Sequence, residues 1–123
     1  MRFYGTLLFA LVFSPSFAAD EPHSPVMMHF LCLADAQYEP IARAMGKGQG
    51  RTVYEQGQQC LNEKLPAAVA AAGNNTDLKA AVKAYHVKGM LYLKSPDDRV
   101  VQRELNEAVA TLEMEGKAAG LWH

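Results

Sequence analysis

The sequence has only two cysteines, Cys32 and Cys60, and they are not arranged as C-x-x-C. This excludes a thioredoxin-like redox pair, covalent haem attachment and a cysteine-based structural zinc site. A G-x-S-x-G element is also missing, and the glycines between Gly46 and Gly50 follow no predicted strand, so they are not a phosphate-binding loop. We therefore expect no catalytic residues and predict that the protein is not an enzyme.

Neither sign of charge dominates, because 12 Lys and Arg stand against 13 Asp and Glu for a formal net charge of −1. This balance argues against nucleic-acid binding. Alternating β-branched and aromatic runs are missing, as are Asn-Gly and Asp-Gly turns, while alanine is abundant. Together these absences favour an all-α fold over any fold that contains a sheet.

The N-terminus carries the pattern of a secretory signal peptide. Arg2 precedes a mainly apolar run from Phe3 to Phe13, and Ser16 and Ala18 place small residues at the −3 and −1 positions of a cleavage site. We expect a periplasmic or secreted protein with no membrane span in the mature chain, since no later segment is long and apolar enough. The predicted divisions are a signal peptide at 1–18, a flexible N-terminal segment at 19–24 and a single helical domain at 25–123.

Export bears directly on the two cysteines. In an oxidising compartment two cysteines are typical of a disulfide, so we predict a bond between Cys32 and Cys60. Closing a loop of this length stabilises a fold by about 3.5 kcal/mol through loop entropy. That is a large share of the net stability of a small domain. We therefore expect the bond to hold two successive helices together.

Apolar residues at steps of three and four predict where the first helix lies. Ser24 is the expected N-cap, and Pro25 stands at the first helical position, where its missing N–H costs nothing. Pro40 is expected to kink or break this helix. The predicted buried face consists of Met27, Leu31, Ala34, Tyr38, Ile41 and Met45.

The rest of the chain predicts further helices after a flexible loop at Gly46 to Gly50. Gly73 is expected to end one of them with a positive φ. The basic third main helix and the acidic last helix are expected to pack as an antiparallel hairpin, with Lys79, Lys83, His86 and Lys94 on the exposed face. The predicted ranges are 51–64, 67–72, 77–94 and, after a Ser95-Pro96 cap, a last helix that ends near residue 115. The predicted fold is a small bundle of four to five helices stapled by one disulfide.

Without a catalytic motif, the sequence favours action through a binding surface. Small exported helical domains include immunity proteins, inhibitors of cell-wall hydrolases and acid-stress chaperones, although this analogy rests only on size, compartment and class. Our first interpretation is a protein that binds a protein partner as an inhibitor or immunity-type protein. The alternatives are a periplasmic acid or stress chaperone and a copper or haem binding protein.

Two sets of candidate binding residues follow from these interpretations. Aromatic side chains beside a flexible loop are typical of protein interfaces, and the candidates for partner binding are Tyr38, Tyr54, Tyr85 and Tyr92. Thioether and imidazole groups suit Cu(I), and the candidate metal ligands are His23, Met27, Met28 and His29. A noncovalent haem would draw its ligands from Met28, Met90, His29 or His86. Methionine is a common core residue and the four metal candidates share no single helical face, so we predict no cofactor.

Overall fold

The computed structural model describes residues 22–123, which form four helical arms and contain no strand. The first arm is broken into two helices by a short 3-10 turn at Leu31–Leu33. The helices are α1 (Pro25–Phe30), α2 (Ala34–Ala44), α3 (Arg51–Ala72), α4 (Thr76–Lys94) and α5 (Arg99–Ala118). The predicted all-α bundle is confirmed, whereas the predicted signal peptide lies outside the described residues. No helix within 22–123 combines the length and apolar character needed to cross a bilayer.

The predicted disulfide is present and joins the first arm to α3. The Cα atoms of Cys32 and Cys60 lie 5.5 Å apart. One turn earlier in α3, Gly57 allows Leu93 of α4 to pack closely on α3 beside the bond. A Cβ at Gly57 would lie 3.1 Å from Leu93 Cδ1 and 3.5 Å from the main-chain oxygen of Cys32. The bond therefore sits at a point where the first arm, α3 and α4 converge.

Both prolines inside helices are tolerated, so the separate helix predicted after Pro66 is wrong, and Pro40 does not end the helix that contains it. The helix α3 runs without interruption through Pro66 to Ala72 instead of restarting as a separate short helix. The helix α2 continues through Pro40, and the interruption of the first arm lies upstream, at Leu31–Leu33. Each proline removes one N–H donor, and the buried residues on both sides hold the helix together at that point. Gly73, with φ of 56°, ends α3 as predicted.

The last helix begins later than predicted. The carboxylate of Asp98 accepts the N–H groups of Val100 at 2.9 Å and Val101 at 3.2 Å. Asp98 is therefore the N-cap, Arg99 is the first helical residue, and Ser95 closes α4. The predicted antiparallel pairing of α4 with α5 is supported by an ion pair between Lys88 and Glu104 at 3.0 Å.

The first arm turns a different face toward the core from the one predicted. Its buried residues are Val26, His29, Leu33, Ala36, Glu39 and Ala42. This set also recurs at steps of three and four, but it contains two ionisable side chains. The predicted face is instead largely exposed, because the Leu31–Leu33 turn and the disulfide fix the orientation of the arm. The core joins Val26 and Leu33 of this arm to large apolar residues of the other helices, including Leu61, Leu78, Tyr85, Leu105 and Leu112.

Candidate functional site

An uncovered apolar surface follows the outer side of the first arm. We call it the first-arm stripe and define it as Leu31, Tyr38, Ile41 and Met45. The exposed fractions are 39% for Leu31, 52% for Tyr38 and 55% for both Ile41 and Met45. The Tyr38 hydroxyl lies 3.9 Å from the Met45 sulfur, so the aromatic and the thioether form one continuous patch. Isolated exposed apolar residues are common, whereas a contiguous set on one helix face is typical of a binding surface.

The stripe faces outward because Glu39, on another face of the same helix, is buried against the loop before α3. Its carboxylate is buried and accepts the N–H of Gln49 at 3.0 Å on Oε1 and that of Gly50 at 2.9 Å on Oε2. These two backbone hydrogen bonds are the main reason why the pKa of Glu39 lies below its usual value. A Cβ at Gly48 would lie 2.8 Å from Oε2 of Glu39, so only glycine fits the loop here. Glu39 thus fixes the end of the predicted flexible loop against the start of α3.

A shallow groove lies at the same end of the bundle, beside Tyr54. Its volume is about 380 Å³, and a second depression of about 240 Å³ shares three of its lining residues. Arg43 donates a hydrogen bond to the Tyr54 hydroxyl at 3.4 Å and so links this groove to the first arm. The shared lining residues are Arg51, Tyr54 and Pro96, and the charged residues around them are Arg43, Lys94, Glu55 and Asp97. The groove therefore has an aromatic centre and a rim of both charges.

The four candidate tyrosines divide into two pairs. Tyr38 and Tyr54 lie at the surface, on the stripe and in the groove. Tyr85 and Tyr92 are core residues, only 1% and 7% exposed, so each offers little surface to a partner in this fold. The Tyr85 hydroxyl donates to the main-chain oxygen of Phe30 at 2.6 Å, and burial raises the pKa of Tyr85 far above its ordinary value. The sequence pattern did not separate the pairs because tyrosine suits both core and surface.

The candidate metal ligands are not brought together. His23 and Met28 are exposed, whereas His29 is fully buried and points toward α4. Among the described residues no group of three or more His, Cys, Asp and Glu side chains is arranged to hold a metal ion. Met27 is half-buried and does not share the buried face of His29. The helix therefore buries His29 and leaves His23 and Met28 at the surface.

The buried His29 meets His86 of α4 in a contact that the sequence did not predict. His29 Nε2 and His86 Nδ1 are 3.1 Å apart, and the ring planes differ by only 18°. With ring centroids 5.3 Å apart, the two rings meet nitrogen to nitrogen rather than face to face. A metal ion in line between two imidazole nitrogens needs a separation of about 4 Å. The separation therefore fits an N–H···N hydrogen bond and is too short for a metal ion in line between the two nitrogens.

The histidine pair is also unusual electrostatically. The pKa of His29 is lowered to about 4, first by burial and second by the nearby His86. Burial also lowers the pKa of His86, which was predicted to lie on the exposed face. The sequence signal for the burial of His29 was its spacing from Val26 and Leu33, which places the three residues on one helical face of the arm.

The first-arm stripe, the Tyr54 groove and the histidine pair are thus the three distinctive features of the described residues. Comparison of the chain with protein-family models, with curated proteins and with solved structures finds no match. A function for this chain therefore rests on its own contacts and surfaces.

Proposed function

We propose that this is an exported protein that binds a protein partner, as an inhibitor or immunity-type protein, through the first-arm stripe and the adjoining Tyr54 groove. The observation that carries the proposal is the stripe, an apolar helix face that no described residue covers. Export is supported by the pattern of Arg2, the apolar run after it and the small residues at 16 and 18.

The composition of this surface supports a protein partner over a small ligand. Protein interfaces are enriched in tyrosine, methionine and arginine, and this surface presents two tyrosines, one methionine and two arginines. Both charged signs occur around the groove, as expected for the polar rim of an interface. The partner is therefore expected to carry an apolar surface that seats on Tyr38 and Ile41.

The test is the capture of a partner from envelope extract by the oxidised protein and by two matched variants. The stripe variant carries Tyr38→Ser and Ile41→Ser, at side chains 52% and 55% exposed. The control variant carries Val100→Ser and Met114→Ser on α5, at side chains 50% and 59% exposed. Exposed substitutions change stability little, so both variants should stay folded. If the stripe residues are binding hot spots, the stripe variant should bind its partner at least about 30-fold more weakly, and the control should bind normally.

Three outcomes would contradict this proposal. One is equal capture by the wild type and both variants, which would place binding elsewhere. Another is the lack of any stoichiometric partner across a range of salt concentrations. The third is dimerisation of the purified protein that the stripe variant abolishes, because the occupant of the stripe would then be a second copy of the chain.

As a second function we propose an acid-responsive chaperone, which one specific observation favours. His29 is fully buried without a counter-charge, so acid should loosen the bundle near it. A chaperone of this type would expose apolar surface near pH 4 and suppress the aggregation of unfolded client protein there but not at pH 7. Unchanged binding of a hydrophobic dye and an unchanged near-UV dichroism spectrum down to pH 4 would exclude this function.

A further inference from the structure

The helix α1 is a short element that other parts of the chain hold at both ends. At its start, the main-chain N–H of Ser24 donates to the main-chain oxygen of His123 at 2.9 Å, and the Ser24 hydroxyl donates to the main-chain oxygen of Leu121. At its end, the Phe30 ring packs on Trp122, with ring centroids 4.8 Å apart. The C-terminal residues therefore contact α1 at both of its ends, and they are held to α5 by the Leu121 N–H, which donates to the main-chain oxygen of Gly116 at 2.9 Å.

The disulfide lies at the boundary between α1 and the remainder of the fold. Cys32, in the 3-10 turn directly after α1, is bonded to Cys60 of α3. Beyond that bond, α3, α4 and α5 pack through their own buried leucines, Leu61, Leu78, Leu105 and Leu112. Detachment of α1 would therefore leave the other helices joined, with the 3-10 turn as the hinge.

The contact between His29 and His86 is one of two polar links between α1 and α4, and the other is the hydrogen bond from the Tyr85 hydroxyl to the main-chain oxygen of Phe30. Tyr85 and His86 face the His29 ring from α4, with the Tyr85 ring centroid 5.5 Å from that of His29. The helix α1 itself contains no acidic residue in its first turn and no other charged residue. Among the described residues of α3 and the C-terminal segment, no lysine, arginine or carboxylate acts on the pKa of His29. A positive charge on His29 would therefore be buried without compensation.

The hydrogen-bond pattern of the pair tolerates only the neutral form. With both rings neutral, His29 Nε2–H donates to His86 Nδ1, and His29 Nδ1 is a bare acceptor that is buried without a partner. One added proton on either ring forces an N–H onto His29 Nδ1, where no acceptor is present among the described residues. A second added proton sets two N–H groups against each other. Each protonation step therefore creates a buried N–H group that has no acceptor.

We infer that the His29–His86 contact is an acid-sensitive latch, whose protonation releases α1 from α4 and from the C-terminal residues, while the disulfide keeps the 3-10 turn on α3. Release would uncover the aromatic contacts around Phe30, Tyr85 and Trp122. The latch requires neither proposed function, since it is a property of the isolated chain.

The expected size of the effect follows from the two protonation equilibria. A histidine with a pKa of about 4 in the closed form and 6.5 when exposed favours the open form ~20-fold more at pH 5 than at pH 7. Below about pH 3 the factor approaches ~200-fold. The shift toward the open form begins just below pH 6.5, which is above the pH range in which carboxylates take up protons. The pH of the onset therefore identifies histidine as the titrating group.

Trp122 provides the readout, because it is the only tryptophan in the chain and packs on the Phe30 ring of α1. The oxidised protein would be titrated from pH 7.5 to pH 4 while tryptophan emission and far-UV dichroism are followed. We expect a red shift of emission with an onset between pH 6.5 and pH 5, with most of the helical signal retained. Hydrogen exchange at pH 7 and pH 5 should show loss of protection confined to α1 and the C-terminal residues.

Two variants make the test specific. His29→Gln keeps an amide donor but cannot take up a proton, so its emission should not change above pH 5. His23→Gln removes an exposed histidine and should titrate as the wild type does. If His29→Gln does not fold, the wild-type exchange data still decide. The latch is overturned if wild-type emission and α1 protection are unchanged at pH 5, if all helices lose protection together, or if a folded His29→Gln shows the wild-type transition.

Discussion

The disulfide sets a large and measurable part of the stability of this domain. Replacement of both partners, Cys32→Ala with Cys60→Ala, should lower the free energy of unfolding by about 3.5 kcal/mol. The magnitude follows from the 28-residue separation of the cysteines, because the bond removes loop-closure entropy from the unfolded chain. Both side chains are only partly buried, so loss of the sulfurs adds little to the cost from lost packing. For a domain of about 100 residues this corresponds to a fall in Tm of about 15 °C.

Urea unfolding followed by far-UV dichroism measures this loss. Wild-type protein treated with a thiol reductant should match the double variant, because both lack the bond while the folded contacts remain. Gly57 should still pack on Leu93 in each case, so the helical signal at zero urea should be unchanged. A loss below about 1 kcal/mol would refute the reasoning, since it would mean that the bond does not restrict the unfolded chain as the loop length requires.

Three further predictions concern packing, the loop and the C-terminal segment. Leu61→Ala, at a fully buried side chain, should cost about 3 kcal/mol in urea unfolding, while Val87→Ala, at an exposed one, should cost less than about 0.5 kcal/mol. Glu39→Gln should speed hydrogen exchange at the two loop amides that Glu39 binds, and Glu55→Gln should not. Because the folded pKa of Glu39 is lowered, its contribution to stability is present above about pH 4.5 and is lost as pH falls through the folded value. Gly116→Ala places a Cβ 2.9 Å from Cε3 of the tryptophan, so it should shift tryptophan emission without reducing helical dichroism.

Most of the architecture could be predicted from the sequence because the relevant signals are local. The Ser24 cap, the positive φ of Gly73 and the pairing of Cys32 with Cys60 each depend on a few neighbouring residues or on compartment. The break predicted near Pro66 failed for a nonlocal reason. One missing N–H weakens a helix at a single position, and burial of residues on both sides, such as Ala68, outweighs it.

The candidate surface could not be predicted because two helical registers of the first arm compete. The more apolar register, which includes Tyr38 and Ile41, was expected to be buried and is exposed. The register that is buried carries His29 and Glu39, and each finds a partner far away in sequence. Hydrophobic periodicity counts apolar residues but contains no information about a loop amide or a second histidine that would satisfy a buried polar group.

The disulfide also divides the first arm into two parts that can be tested separately. His29 lies before Cys32 in the chain, whereas Tyr38 and Ile41 lie after it on α2. If acid releases α1 alone, α2 stays attached beside α3 and the greater part of the stripe remains in place at pH 5. Stripe variants should then leave the tryptophan titration unchanged, and His29→Gln should leave partner binding at pH 7 unchanged. A stripe variant that moved the acid transition would show that the two parts of the arm are coupled through the turn despite the bond.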